Sequence, residues 1–380
     1  MSRVGILSVF AAVGLGLSAL AYSQSVSPAA GQLPSTDAEL REFFADSHST
    51  EKPMGLEGVW IDCLDRLSPL PSGTSQKVVC KSWTAQGVES TLVALQSGPE
   101  TVPVIENRLP GPTGNRRFVI DVQGGPRGDP TYSNEAITEE LLARLRRSGA
   151  IELIGVSELD RPYVQLMERG ITVVSVGYWG TSLRTLEERN EFELGAQDVR
   201  TAINFYRDQI RADPPLITSS LGNHLALAAL GRERLEGMNV LSLVPVMDGL
   251  QQHINRFTDE IAKDKADGEP KSGWGRLTVF IRRDEGFAFD HTRMALTSDY
   301  IEKYLGDADY PWKYVSLKGR CSTLVLGRKD PRTRDYIERT SELPPFVQVW
   351  DTDHDIIMDD LEKTRRLYAD FADCLLEETT

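Results

Sequence analysis

"PPLITSSLGNHLALAALG", residues 214–231, contains the most informative change of pattern in the sequence. A short apolar run typical of a buried strand passes directly into a pattern of leucines and alanines typical of a helix. Ser220 stands at the corner, with Thr218 two residues before it and Gly222 two residues after it. Small residues at these positions let neighbouring backbone approach a serine on a strained strand-to-helix turn. The stretch therefore predicts an exposed, reactive serine at the end of a buried strand.

Buried-type strands and amphipathic helices alternate along most of the chain. The other strand-like runs are "FVIDV" (118–122), "ITVVSVGY" (171–178), "NVLSLVPV" (239–246), "STLVLG" (322–327) and "FVQVW" (346–350). Helical spacing of apolar residues is found in "NEAITEELLARLRRSG" (134–149), "FELGAQDVRTAINFYRDQI" (192–210), "GNHLALAALGRERLEG" (222–237) and "DDLEKTRRLYADFADCLLEE" (359–378). This alternation predicts an α/β protein with a mostly parallel sheet.

An acid and a base follow two later strands. Asp330 comes shortly after the run that ends at residue 327, and His354 follows the run that ends at residue 350. Since the carboxyl ends of parallel strands meet at one edge of the sheet, we expect both side chains to approach Ser220. The order serine, acid, histidine is the one used on this kind of strand-to-helix turn. Ser220, Asp330 and His354 are therefore the candidate catalytic residues.

One alternative for the acid stays open. Asp248 follows the strand predicted at 239–246, the next strand along the chain after that of the serine. An acid at that position also lies at the same edge of the sheet.

The motifs around these residues resemble the α/β-hydrolase superfamily. "FVIDVQGGPRGDP" (118–130) is similar to the His-Gly-Gly-Pro-Gly segment of its proline-aminopeptidase-like branch, with Gln123 in place of the histidine. "GYWGTS" (177–182) is similar to a second segment of that branch, with Trp179 in place of an arginine. The resemblance implies a mostly parallel central sheet flanked by helices. It also implies an oxyanion hole formed by backbone N–H groups of Leu221 and of Gly124 or Gly125.

The resemblance also implies a division of the chain. It covers residues from about 116 to the end, so that 116–249 and 317–380 form the two parts of the hydrolase core. The charged and aromatic segment 250–316 interrupts the alternation and corresponds to the variable cap of the family. Residues 24–115 form an N-terminal extension with the first β-strands, "GVWIDCL" (58–64), "QKVVCKSW" (76–83), "STLVALQ" (90–96) and "TVPVIEN" (101–107).

The first 23 residues have the pattern of a signal peptide. Arg3 precedes an uncharged apolar run from Val4 to Ala21, and small residues at Ala21 and Ser23 are typical of a cleavage site before Gln24. A membrane anchor is the competing interpretation, because the run has nearly spanning length. We expect removal of residues 1–23, no stable membrane anchor afterwards, and a periplasmic or secreted protein.

Export affects how the cysteines are interpreted. The chain has 4 cysteines, and none of their spacings is typical of a zinc site. An even number in an exported protein predicts two disulfides. We favour Cys63–Cys80 across a hairpin and Cys321–Cys374 between a late strand and the last helix. Three pairings are possible from the sequence, and the alternative is four buried thiols.

The net charge of the chain limits the kinds of partner that it can bind. The formal net charge of -14 argues against binding nucleic acid or an anionic membrane through bulk electrostatics.

The acidic run 351–362, "DTDHDIIMDDLE", matches several ligand positions of an EF-hand loop. Ile356 replaces the required glycine, and a predicted strand precedes the run where an EF-hand has a helix. We therefore expect neither a metal nor a cofactor.

These observations lead to two hypotheses of function. The first is an exported serine hydrolase that cleaves an ester or an amide bond of a small molecule or short peptide through an acyl-enzyme on Ser220. In it, His354 is the base and Asp330 is the acid that orients it. The second is a catalytically inactive hydrolase fold that acts as a binding protein. It is motivated by the departures from the family's motifs at Thr218, Gln123 and Trp179.

Overall fold

The computed structural model describes residues 57–85, 87–111, 117–124, 163–178, 192–247, 279–282, 286–289, 294–296, 312–330, 332–354, 356 and 360–377. Several expectations lie outside these residues. They are the signal peptide at 1–23, the helix at 134–149, the oxyanion-hole candidate Gly125, the alternative acid Asp248 and Trp179.

A nine-stranded sheet forms the centre of the molecule. Its strands are β1 (Ser75–Ala85), β2 (Val88–Ser97), β3 (Glu100–Arg108), β4 (Arg117–Val122), β5 (Ile171–Val176), β6 (Leu216–Ser219), β7 (Val240–Leu243), β11 (Thr323–Gly327) and β12 (Val347–Trp350). They lie side by side in the order β1-β2-β3-β5-β4-β6-β7-β11-β12. The pairs from β5 to β12 are parallel, whereas β1, β2, β3 and β5 pair antiparallel.

The helices accompany this sheet. Those within the described residues are α1 (Glu57–Leu64), α2 (Val164–Met167), α3 (Phe192–Ile210), α4 (Leu221–Leu230), α5 (Arg232–Gly237), α6 (Arg334–Arg339) and α7 (Leu361–Glu377), with a 3-10 turn at Trp312–Tyr314. On the side of β5 away from β3, the sheet continues in chain order as β4, β6, β7, β11 and β12. Strand β6 is followed directly by α4. This strand order, with a mostly parallel sheet and a serine at that turn, is the α/β-hydrolase fold. The fold class predicted from the sequence is confirmed.

Both faces of the sheet are buried. Phe118, Ile120 and Val122 of β4 belong to one apolar cluster, which includes residues of α3 and α4. Val119, between them, belongs to the cluster on the opposite face, which includes residues of α7. Because side chains alternate along a strand, a run that is apolar at nearly every position requires helices on both faces. This explains why the parallel strands are recognisable as continuous apolar runs.

The segment at 58–64 is a helix, so the prediction of a strand there is wrong. Trp60 and Cys63 are 3% and 1% exposed, and both pack against β2 and β3. A spacing of three residues places them on the same face of a helix and leaves Asp62 in solvent. In a strand, by contrast, Trp60 and Asp62 share a face. The disulfide Cys63–Cys80 therefore joins α1 to β1, not two strands of a hairpin.

One other element differs from the sequence prediction. The single helix predicted at 222–237 is divided into α4 and α5 at Gly231, whose φ of 74° ends the first helix. Among its described residues, the segment 250–316, which interrupts the alternation in the sequence, has three short strands that pair antiparallel. These are β8 (Val279–Arg282), β9 (Gly286–Phe289) and β10 (Met294–Leu296).

The second disulfide links the two ends of the C-terminal part of the core. Cys321, just before β11, is bonded to Cys374 in α7, 53 residues later in the chain. Both bonds match the pairing favoured by the sequence analysis. Among the described residues, no helix is both long and apolar enough to cross a membrane.

Candidate active site

Ser220 lies between β6 and α4 in a strained backbone conformation. Its φ is 45° and its ψ is -117°, a combination that side-chain-bearing residues rarely adopt. Such strain costs about 1–3 kcal/mol and persists where the surrounding structure enforces it. A serine at the start of a helix is usually a capping residue, but in the described structure the side chain of Ser220 makes no capping bond. The hydroxyl is therefore available for other contacts.

Two glycines allow backbone to approach this turn. A Cβ added to Gly222 would lie 2.0 Å from the carbonyl oxygen of Val122, at the end of β4. A Cβ added to Gly124 would lie 2.8 Å from the Cβ of Ser220. At distances this short, the backbone would have to move to accommodate a side chain at either position. The start of α4 and the segment after β4 are thus packed directly against each other beside Ser220.

His354 and Asp330 converge on the serine. The Nε2 atom of His354 lies 2.9 Å from the Oγ atom of Ser220, and its Nδ1 atom lies 2.7 Å from the Oδ2 atom of Asp330. Each residue follows a different strand, β6, β11 or β12, at the carboxyl edge of the sheet. The structure brings together the three residues that the sequence analysis selected, in the expected chain of contacts.

The surroundings of Asp330 determine which atoms of Asp330 and His354 carry protons. Asp330 is fully buried, which by itself raises the pKa of its carboxyl group. The charge and hydrogen bond of His354, together with the nearby guanidinium and backbone N–H of Arg332, outweigh burial and leave this pKa below its usual value. An ionised carboxylate only accepts hydrogen bonds, so the Nδ1–H of His354 donates to Asp330. In the neutral imidazole, Nε2 is then free to accept the Ser220 hydroxyl proton.

Arg332 and Gly327 are residues of this region that the sequence analysis missed. The backbone N–H of Arg332 donates to the Oδ1 atom of Asp330 at 2.9 Å. A Cβ on Gly327 would lie 2.6 Å from the carbonyl oxygen of Asp353. The absence of a side chain at Gly327 therefore lets the turn that carries His354 lie against the end of β11. The only sequence signal for this role was a glycine directly at a strand end.

Leu221, Gly124 and His224 lie close to the turn in sequence or in space. Leu221 is the first residue of α4, so its N–H precedes the hydrogen-bond ladder of the helix. Gly124 is in contact with the turn, as described above. His224, one helical turn after Ser220, is buried, and its Nε2 atom accepts a hydrogen bond from the backbone N–H of Val246 at 3.3 Å. His224 therefore has a structural partner and not the position of a base.

Comparison with known proteins gives only distant likenesses. No protein-family model matches the chain, and no curated protein sequence matches it. The chain is similar to the structure of brefeldin A esterase, described as a bacterial homologue of human hormone-sensitive lipase. The identity is 15%, each chain is covered to 90% and the TM-score is 0.43.

Two further structures have similar values. An arylesterase is 13% identical, with 90% of this chain and 98% of that chain covered and a TM-score of 0.43. The Pyrobaculum calidifontis esterase is 14% identical, with 88% and 98% covered and a TM-score of 0.43. At these identities and TM-scores, the likenesses say nothing about the reaction of this chain.

Proposed function

We propose that the protein is a serine hydrolase that cleaves an ester or an amide bond through an acyl-enzyme on Ser220. One observation carries the proposal. Ser220, His354 and Asp330 form a continuous chain of hydrogen bonds of 2.9 and 2.7 Å that ends in a buried carboxylate. A serine hydroxyl is a weak nucleophile on its own and needs a base within hydrogen-bonding reach, which in turn needs a group to fix its tautomer.

The reaction follows from these contacts. Nε2 of His354 takes the hydroxyl proton while Oγ of Ser220 bonds to the carbonyl carbon of the substrate. The resulting imidazolium is stabilised by Asp330. When the tetrahedral intermediate collapses, the bond to the leaving group breaks and His354 returns the proton to it. Water then attacks the acyl carbon while Nε2 of His354 takes its proton. The bond to Oγ breaks, the carboxylic acid product leaves, and His354 returns the proton to Ser220.

The oxyanion of the tetrahedral intermediate requires N–H donors beside Ser220. We assign this role to the backbone N–H groups of Leu221 and of Gly124 or Gly125. Contact between the Gly124 backbone and the turn supports the assignment, since a Cβ at Gly124 would lie 2.9 Å from the carbonyl oxygen of Ser219. Loss of one such donor typically lowers kcat by about 100-fold to 1000-fold.

The substrate class is proposed from the motif at 123–126. Its resemblance to the Gly-Gly-Pro segment of the proline-aminopeptidase-like branch favours a short peptide or amide, with a small ester as the other candidate. We further propose that the protein is exported. The apolar leader at 1–23 and the disulfides Cys63–Cys80 and Cys321–Cys374 support this, because disulfides persist in oxidising compartments.

Labelling with a fluorophosphonate tests the proposal. The wild type is expected to react at Ser220, identified by mass spectrometry of the labelled peptide, and Ser220→Ala is expected not to react. His354→Ala and Asp330→Asn are expected to lower kcat on a hydrolysed substrate by about 10⁴-fold or more, because each removes part of the proton-transfer chain.

A panel of aminoacyl amides and short-chain esters then identifies the substrate class. The matched control is Ser90→Ala, which removes a buried hydroxyl of β2 that donates to Asn107 at 2.8 Å, far from the site. A wild type that is folded but neither reacts with the probe nor hydrolyses any panel member contradicts the proposal. That result would favour the alternative, an inactive hydrolase fold with a binding role.

A further inference from the structure

The turn that carries Ser220 departs from its usual sequence at Thr218. The motif has a glycine two residues before the serine, whereas here a threonine is fully buried at that position. A buried hydroxyl without a partner is unfavourable, so its partner indicates why it is tolerated. The Oγ1 atom of Thr218 donates to the Oδ1 atom of Asn223 at 2.5 Å. Asn223 is also fully buried, in the first turn of α4.

The side chain of Asn223 uses all of its hydrogen-bonding groups. Its Oδ1 atom accepts a second hydrogen bond from the hydroxyl of Ser242, in β7, at 2.6 Å. Its Nδ2 atom donates to the carbonyl oxygens of Ser220 at 3.1 Å and Leu243 at 2.9 Å. Since carbonyl oxygens only accept, the orientation of the amide is determined by its partners. A carboxamide has two donors and two acceptor sites, and here each has a partner.

These contacts hold the serine on both sides. The backbone N–H of Ser220 donates to the carbonyl oxygen of Leu243 at 2.9 Å, the same oxygen that accepts from Asn223. The carbonyl oxygen of Ser220 accepts from the side chain of Asn223 at 3.1 Å. Asn223 thus fixes the peptide group after the strained residue and also the acceptor for the peptide group before it. Thr218 and Ser242 in turn fix the orientation of Asn223.

We propose that Asn223 is a positioning residue for Ser220, and that the hydroxyl of Thr218 acts through it. The amide maintains the strained turn and thereby keeps the serine hydroxyl within reach of Nε2 of His354. Asn223 itself contacts no reacting atom. This inference rests on the proposed function, because it concerns the reactivity of the same serine. In the usual motif, a glycine at this position allows close packing of the turn. Here the hydrogen bond from Thr218 to Asn223 supports the turn instead.

The test compares two substitutions at Thr218. Thr218→Val keeps the shape of the side chain and removes the hydroxyl, so Asn223 loses one of the two donors that orient it. We expect the second-order rate constant of fluorophosphonate labelling and kcat to fall by about tenfold, because the serine is misplaced. KM is expected to stay unchanged, because the substitution does not alter the pocket that binds the substrate. Thr218→Ser retains the hydroxyl and is expected to react within about twofold of the wild type.

A substitution of Asn223 gives a larger effect. Asn223→Ala is expected to lower the labelling rate constant by about 100-fold, since the displacement of a reacting group by about 1 Å has an effect of that size. This variant leaves several buried groups without partners and can fail to fold, which is why the Thr218 pair decides the outcome. Rates are compared for the folded fraction only, measured by circular dichroism and thermal unfolding.

Ser90→Ala separates reactivity from stability. It removes a buried hydroxyl bond to an asparagine, Asn107, on strands that lie away from the turn. We expect a lower Tm with the labelling rate of the wild type. If Thr218→Val likewise lowers Tm but labels at the wild-type rate, or if Thr218→Ser is as slow as Thr218→Val, the inference is wrong. A wild type that does not label at all contradicts the proposed function instead.

Discussion

Gly222→Ala is the substitution whose effect on the position of Ser220 can be worked out most directly from the structure. The new Cβ would lie 2.0 Å from the carbonyl oxygen of Val122 and 2.6 Å from that of Gln123, whereas such contacts are essentially never shorter than 3.0 Å. Both oxygens belong to backbone at the end of β4 and cannot rotate away. The start of α4 must therefore move by about 1 Å relative to the strand, and Ser220 immediately precedes that helix.

A shift of this size breaks the contact between Ser220 and His354, now 2.9 Å between Oγ and Nε2. Misplacement of a reacting group by about 1 Å lowers the rate by about 100-fold, so we expect that fall in the rate constant of fluorophosphonate labelling. The matched control is Gly237→Ala at the end of α5, where an added Cβ meets no atom within 4 Å. It should label at the wild-type rate.

Folding is monitored in parallel by near-ultraviolet circular dichroism. A Gly222→Ala protein that is folded and labels as fast as Gly237→Ala would contradict this prediction, because the packing of α4 against β4 could then not control the position of the serine.

Two further predictions concern stability. Glu236 accepts from Arg232, Lys318 and the backbone of Ser316, and although its burial alone raises the pKa of the carboxyl group, these contacts lower it from 4.5 to about 2. The stabilisation is complete above pH 4.5 and lost as the pH falls towards 2, by at most about 3 kcal/mol. Glu236→Gln should therefore flatten the pH dependence of urea unfolding in that range. The double variant Cys321→Ala/Cys374→Ala opens a loop of 53 residues, and the free energy of unfolding should fall by about 4 kcal/mol in urea titrations; a fall below about 1 kcal/mol would contradict it.

Much of the fold could be predicted because its signals are local. The parallel strands are buried on both faces and are therefore continuous apolar runs, and α3 begins and ends at the residues that its periodicity predicts, Phe192 and Ile210. The three site candidates were selected by the same logic, since each follows a strand at one edge of the sheet. The helix at 58–64 was missed because a short run of apolar residues fits a strand equally well.

Local sequence patterns are enough to predict the chain order of the strands, the turn at Ser220, and the acid and histidine at later strand ends. Contacts between segments far apart in the chain arise only when the elements pack together. Ser220 and His354 are 134 positions apart, and the role of Asn223 depends on Ser242 and Leu243 in a neighbouring strand. The need for glycine at 222 and 327 likewise arises from the backbone of other strands. Local propensity determines which elements form. Residues remote in the chain come within hydrogen-bonding distance only after those elements have packed.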